Sequence, residues 1–391
     1  GKGRMVDLLS SDYDVVCRYQ GGNNAGHTVV NHLGKFVLNL LPSGILRPEV
    51  VNVMGNGMVI DLEHLSKEVA RLRAAGVGIT PDNLKISERA VICMPYHVLQ
   101  DCLEEDRLGD AKYGSTKRGI APVYGDKYLK KVIRMGDLRY PEFLERRVKE
   151  IVDWKNLFIR DAYKADAVSA DEMIAWLKKF GGEFLDYVCD VGSYLNDAAK
   201  AGKNIMFEAQ LGALRDIDYG IFPYTSASYT IASYAPIGAG IPQQHLDEIL
   251  FHVSVGIRGG NSAAGGTEFF VRKAVLFKAK GRMVDLLSQD YDIVVRYQGG
   301  NNAGHTVMNE RGRFILNLLP SGILRDETVN VLGPGMVIDM EHLYNEIQKL
   351  RDAGIEITPK HLKISDRASI CMPYHKLLDC LEEDRLADKK F

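Results

Sequence analysis

The chain has 391 residues, enough for two or three domains, and its 46% hydrophobic and 26% charged content is ordinary for a globular protein. A formal net charge of −2 supplies no field to gather nucleic acid, so any phosphate must be held by local sites. The sequence shows no eighteen-residue apolar run, no signal pattern and no Cys-x-x-Cys pair, which argues against membrane, zinc and disulfide readings and fits a reducing cytosol.

In chain order, Met5–Leu9 reads as a short helix running into Asp14–Tyr19, an apolar β-prone run typical of a buried strand. A Gly-rich loop, Gly21–His27, follows, and two strands then flank a turn near Leu33-Gly34, the second being Phe36–Leu41. Val50–Met54 and Met58–Ile60 read as strands around Gly55-Asn56-Gly57. Asp61 can cap a helix with Leu62, Leu65, Val69 and Leu72 on one face, closed by Gly76. Leu84–Ile86 and Ala90–Cys93 are short strand candidates, and Pro95 opens a helix carrying Val98, Leu99, Cys102 and Leu103. Glu142–Trp154 and Ala170–Phe180 read as surface helices and Asn204–Phe207 as a strand entering Glu208–Asp218. Gly256–Gly266 is Gly-rich and poor in apolar residues, as expected of a linker. Strands alternating with helices predict an α/β domain with a mainly parallel central sheet.

The opening third of the chain then recurs. Gly3–Tyr113 aligns without a gap to Gly281–Phe391 at an offset of 278, with 30 differences over 111 positions, hence 81 identities. Both copies carry Arg-Tyr-Gln-Gly-Gly-Asn-Asn-Ala-Gly-His-Thr, at Arg18–Thr28 and Arg296–Thr306, but the segment Gly114–Leu250 occurs once. Copy one joins that segment directly, whereas copy two reaches it only through the linker and loses on loop entropy and effective concentration. The expected arrangement is therefore a main body over 1–250, a junction over 251–280, and a partial repeat over 281–391 that forms an incomplete lobe or docks on another chain.

Four runs carry candidate chemistry. Gly1-Lys2-Gly3-Arg4 precedes a helix, where backbone N–H groups and Lys2 suit phosphate; a flexible basic terminus is the alternative. Asn23–Thr28, leaving a strand, can bring backbone donors and an imidazole to an oxyanion, or can be a tight turn with a solvated His. Gly114-Ser115-Thr116-Lys117-Arg118-Gly119 has a phosphate-cradling composition, or is a solvated basic loop. Asp216 and Asp218, near Gln210, can bind metal but in Asp-x-Asp-x-Gly more often shape a turn. His97, in Met-Pro-Tyr-His at a helix start, is assigned no chemistry.

Taken together, these runs resemble adenylosuccinate synthetase. The resemblance rests on residues 1–7, the Arg18–Thr28 run, Pro42-Ser43-Gly44-Ile45-Leu46, Gly114–Asp126, Arg134–Leu138 and Phe207–Tyr224, and spans about 1–250 and 281–391. It implies a P-loop-NTPase-like fold and a GTP- and Mg²⁺-dependent ligase joining IMP to L-aspartate, a cytoplasmic homodimer of purine (AMP) biosynthesis. The γ-phosphoryl group would pass to the 6-oxygen of IMP before the aspartate amine displaces phosphate, chemistry carried mostly by positioning and electrostatics. By position, His27 would be the acid and Lys2 would neutralise charge. Gly1, Lys2, Gly3, Arg4, Gly26, His27 and Thr28 would line the GTP phosphates, and the Gly26 carbonyl would reach Mg²⁺. Asn24, Thr116 and Ser226 match IMP contacts, and Arg118 could hold an acidic substrate.

Some positions depart from the family pattern. The family motif Gly-Asp-Glu-Gly-Lys-Gly holds a base and metal ligand at its Asp; the sequence starts after that Asp, and copy two has Phe277 there. The usual Gln on IMP falls at Leu211, with Gln210 beside it, and the arginine lent across the dimer falls at Lys130, which keeps the charge without the bidentate fork. The guanine-recognition segment and the Arg-rich aspartate loop have no counterpart, and little or no ligase activity is expected, because base and metal ligand are absent. The other class of reading is a non-catalytic nucleotide-binding or assembly module.

Overall fold

The protein is represented by a computed structural model that describes residues 6, 8–31, 34–242, 291–302, 304–309 and 312–387. They belong to two compact units, Gly1–Gly260 and Asn261–Phe391. The Gly1–Arg4 run and the Gly256–Gly266 linker lie outside the described residues.

Unit 1 is built on a parallel sheet ordered β7-β5-β4-β1-β8, with β6 also pairing β4. Its strands are β1 (Val15–Gly21), β4 (Val51–Ile60), β5 (Leu84–Ser87), β6 (Val91–Ile92), β7 (Val188–Cys189) and β8 (Ile205–Glu208), while β2 (His27–Asn31) and β3 (Gly34–Leu38) form an antiparallel hairpin. β1 is buried along its whole length because it lies between two parallel neighbours, Val15 opposite both Val51 and Ile205. Alternate residues feed two cores: Met54, Met58 and Ile86 enter the larger, whereas Val15, Cys17, Tyr19 and Val53 enter the other. Helices thus cover both faces of the sheet, as the alternating pattern predicts.

Helix α1 (Leu62–Ala74) starts where expected, the Asp61 side chain accepting from the His64 amide. α2 (Pro95–Leu108) opens at Pro95, followed by α3 (Ile120–Tyr128), α4 (Pro141–Asn156), α5 (Ala170–Gly181), α6 (Val191–Lys200) and α7 (Ala235–Ala239). Two expectations change. Val50–Met54 and Met58–Ile60 are one strand, β4, because the glycines between them admit close neighbours rather than breaking it: a Cβ on Gly55 would sit 2.5 Å from the Gly238 carbonyl. The supposed surface helices at 142–154 and 170–180 each bury a face in the larger core, through Leu144, Val148, Ile151 and Val152 in the first and Met173, Ile174 and Leu177 in the second.

Unit 2 repeats the element order of copy one: β9 (Ile293–Gly299), β10 (His305–Asn309), β11 (Gly312–Leu316), β12 (Val329–Ile338), α8 (Met340–Asp352), β13 (Leu362–Ile364), β14 (Ser369–Ile370) and α9 (Pro373–Leu386). The β9–β12 register reproduces β1–β4, with Val329 opposite Ile293 as Val51 is opposite Val15, and the same irregularity follows. It has its own core around Leu316, Leu319, Leu332, Leu343 and Leu350.

Candidate active site

Strand order places the site. From β1 the chain proceeds to β4, β5 and β7 on one side and returns to β8 on the other, so the sheet reverses direction between β1 and β8. A crevice opens at the carboxyl ends of strands at such a reversal. The loops leaving those two ends, Gly22–Gly26 after β1 and Ala209–Gly212 after β8, carry the candidate residues.

In the strands that these loops leave, Arg18 and Glu208 are directly opposite in the β1–β8 ladder, and both are buried. Burial lowers the Arg18 pKa, while Glu208 first and Glu68 second favour its charged form. Its Nη2 donates to the Gly22 carbonyl at 3.1 Å, bracing the loop, and its buried Nη1 has no hydrogen-bond partner. Glu208 accepts from the Ser43 amide (2.8 Å) and the Ser43 hydroxyl (3.0 Å). His27, first in β2, places Nε2 2.6 Å from Ser43 Oγ and 3.3 Å from Glu208 Oε1. The imidazole is therefore oriented by a hydroxyl that a carboxylate holds, and acting on a bound phosphoryl group requires its Nδ1 or a change of rotamer.

Unit 2 repeats this constellation without β8. His305 Nε2 is 3.0 Å from Ser321 Oγ, and burial, with Arg296 adding, lowers its pKa. The hairpin alone aims the His at the Ser; among the described residues only unit 1 adds the carboxylate.

Gln210 lies beside the site but is committed inward. Its Oε1 accepts from the Gly22 amide (3.2 Å), and its Nε2 donates to the carbonyls of Gly22 (2.8 Å) and Ala25 (2.5 Å). In this conformation the side chain positions the loop, so direct substrate contact by Gln210 requires breaking these bonds. Asn24 is half-buried in that loop, its Oδ1 accepting from the Gly22 amide at 3.4 Å, while Gly26 and Thr28 are exposed. A continuous chain leads onward: Gln20 Nε2 donates to the Gln210 carbonyl (2.7 Å), Ser228 Oγ donates to Gln20 Oε1 (3.3 Å), and Ser226 Oγ is 3.1 Å from Ser228 Oγ.

The Ser-Thr loop joins the same crevice through α3. A Cβ on Gly22 would lie 2.6 Å from Ile120 Cδ1, and Tyr124 Oη accepts from the Gly21 amide (3.1 Å) and donates to the Gly57 carbonyl (2.7 Å). Buried Asp101 staples both ends of the loop, accepting from Ser115 Oγ (2.7 Å) and the Gly119 amide (2.9 Å). Thr116 and Arg118 are left exposed on the loop. Gly119 has φ +72°, and a Cβ there would meet the backbone of His97 and Val98 at 2.8 Å, so the loop's exit needs glycine. Lys130 is exposed, with φ +61°, and its carbonyl accepts from Arg147 Nη2.

Asp216 shapes a turn, as its spacing suggested: its carboxylate accepts from the amides of Asp218, Tyr219, Thr230 and Ile231. Among the described residues no group of three His, Cys, Asp or Glu side chains is arranged for a metal. Glu208, Ser43, Arg18, Asp101 and Tyr124 went unnoticed in the sequence as site residues. Arg18 and Ser43, in runs present in both copies, and Tyr124 and Glu208, inside runs that carry the resemblance, had a signal that could have found them; Asp101 lay in none of these runs.

A parallel α/β sheet whose switch-point loops carry small residues, a held imidazole and a basic Ser-Thr loop defines a protein of the doubly wound α/β class. Comparison with known proteins narrows this. Residues 1–255 and 278–391 match the family model for adenylosuccinate synthetase, and the chain belongs to that family. Adenylosuccinate synthetase 2 of Pseudoalteromonas translucida is 46% identical over 252 residues, covering 64% of this chain and 60% of its own. The adenylosuccinate synthetase of Caldanaerobacter subterraneus is 42% identical over 250 residues, 64% of this chain and 58% of its own. The structure of fully ligated adenylosuccinate synthetase from Plasmodium falciparum superposes with a TM-score of 0.58 at 32% identity, over 63% of this chain and 57% of that one. The chain spans about 60% of the length of the curated relatives it matches.

Proposed function

We propose that unit 1 holds the IMP and phosphoryl-transfer part of a GTP-dependent carbon–nitrogen ligase that joins IMP to L-aspartate. The observation that carries this reading is the hydrogen-bond chain from Ser226 through Ser228, Gln20 and Gln210 to the Gly22–Ala25 loop. It ties a candidate IMP contact to the loop that bears Asn24 and His27, and α3 brings the Thr116 loop to the same Gly21–Gly22 segment. In this reading Asn24, Thr116 and Ser226 grip IMP, Arg118 attracts the carboxylates of aspartate, and Gln210 positions the loop. His27, held by Ser43 and Glu208, donates to the developing charge on the transferring phosphoryl group. Gly1–Arg4 and Thr28 serve the GTP phosphates, with Lys2 as their neutralising cation.

Mg²⁺ takes oxygen donors and is commonly held by few protein groups together with phosphates and water. The exposed Gly26 carbonyl fits as one such donor, and the ion would supply charge neutralisation at the phosphates. Lys130, on a positive-φ turn, suits a charge offered to a partner subunit in a cytoplasmic homodimer. Calorimetry of the full chain with IMP tests the pocket, and adenylosuccinate formation from IMP, GTP and aspartate tests the ligase. Binding with turnover supports the full reading; binding without turnover leaves a non-catalytic nucleotide-binding module; no binding refutes both.

A further inference from the structure

We propose that the outer edge of β9 is a self-association surface, occupied by β9 of a second copy of this chain paired antiparallel across a two-fold axis. The starting observation is the contrast between equivalent residues. Val15, Cys17 and Tyr19 are 2%, 0% and 2% exposed, whereas Ile293, Val295 and Tyr297 are 56%, 52% and 57% exposed. In unit 1 the outer edge of β1 is closed by β8, and its face is packed by Val191, Leu195, Ala235 and Ala239 of α6 and α7. Among the described residues β9 pairs with β12 alone. Its sequence, Ile-Val-Val-Arg-Tyr-Gln-Gly, has no Pro or Lys to discourage edge pairing. Its one cation does not blunt the edge either, since Arg296 donates to the carbonyls of Gly300 and Asn317.

The occupant follows from what each molecule has left over. Among the described residues one segment covers such an edge, and β1 already holds it. Copy two has also changed where that segment would sit. Pro334 replaces Asn56, whose Oδ1 accepts from Ser87 Oγ at 2.5 Å and whose amide abuts Gly240. Ser369 and Lys376 replace Val91 and Val98, which pack with Ile120 and Val123. A covering segment from another molecule is therefore a poor match, but every molecule brings another β9 at equal concentration.

β9 is complementary to itself. With Val295 on the two-fold, Ile293 faces the partner's Tyr297 and Val295 faces the partner's Val295, apolar cross-strand pairs that stabilise an antiparallel ladder. A tyrosine buries at most about 150–250 Å². Three half-exposed side chains per copy thus fall short of the ~1,200 Å² of a stable interface, so the association is weak and concentration-dependent.

Sedimentation of the full chain over micromolar concentrations tests this, with V295K as the disrupting variant and Y344K, at another exposed apolar position, as control. The expected result is an assembly that V295K reduces by one association step and Y344K leaves alone, whether or not unit 1 also dimerises. V295C in a C380S background, treated with a short bismaleimide, should give a dimer cross-linked at 295. This cysteine result stands by itself if V295K fails to fold by circular dichroism. An unaltered assembly in V295K, or V295C protein that stays uncross-linked at concentrations where wild type associates, overturns the proposal, as does a wild type that is monomeric throughout.

Discussion

Replacing Glu208 with alanine should destabilise unit 1 by about 4 kcal/mol, and with glutamine by about 2 kcal/mol. The carboxylate accepts from the Ser43 amide at 2.8 Å and the Ser43 hydroxyl at 3.0 Å, and it faces the buried Arg18 across the ladder. Alanine strands a buried amide, worth roughly 1–3 kcal/mol. It also removes the larger of two carboxylate influences on a buried guanidinium. Glu68 still favours the charged form and Arg18 makes no carboxylate contact among the described residues, so this loss is about 2 kcal/mol, below the roughly 3–5 kcal/mol of a broken contact pair. Glutamine retains an acceptor for Ser43 and loses only the charge. The assay is selective, because the chain has two tryptophans, Trp154 and Trp176, and both lie in unit 1. Urea titration followed by tryptophan fluorescence therefore reads that unit alone. A loss under about 1 kcal/mol in E208A, at unchanged m-value, would refute the account of Arg18, Glu208 and Ser43 as one coupled group.

Three further outcomes follow from the same geometry. His97 is buried with its pKa lowered to about 4 from 6.5, first by burial. Between those values the unfolded chain binds the extra proton, so stability present above pH 6.5 is lost as pH falls towards 4; at pH 5 the loss is about 2 kcal/mol by fluorescence-detected urea titration. G119A must place a Cβ against the His97 and Val98 backbone at a left-handed φ, and should cost at least ~2 kcal/mol in the same assay. D101A releases both ends of the Ser-Thr loop; trypsin cleavage at Lys117 or Arg118 should accelerate roughly tenfold, with weaker IMP binding by calorimetry, and an unchanged cleavage rate would show that the staple is dispensable.

The elements that were legible in the sequence are those with local causes. Asp61 caps α1, Pro95 opens α2, and a parallel sheet follows from alternating strand and helix patterns, because capping, proline geometry and periodicity act within a few residues. What stayed hidden, Asp216 apart, is the buried charge. Glu68 accepts from the amides of Asn39, Leu40 and Leu41, and Asp101 and Glu208 fix the loops of the site. Their partners are backbone amides far away in the chain, which no local pattern announces.

The repeat separates these two levels of information within one molecule. Met94–His97 and Met372–His375 are the same four residues, and in each the His Nδ1 accepts from the Met amide at 2.9 Å to cap its helix. The local structure is therefore written in the run itself. The chemistry is not: His97 is buried against Asp126, 2.9 Å away, with Lys155 2.7 Å beyond on the same carboxylate, whereas His375 is exposed. Asp126 and Lys155 both come from the segment present once, as does Glu208 beside His27. Copy two thus reproduces the strands, helices, cap and His–Ser pair of copy one, and its buried Glu346 holds the Asn317–Leu319 amides as Glu68 holds Asn39–Leu41; among the described residues it lacks the carboxylates that reach His27 and His97. Among the described residues the duplicated His–Ser pair meets a carboxylate only in the copy that the single segment covers, and that carboxylate, not the motif, distinguishes the two.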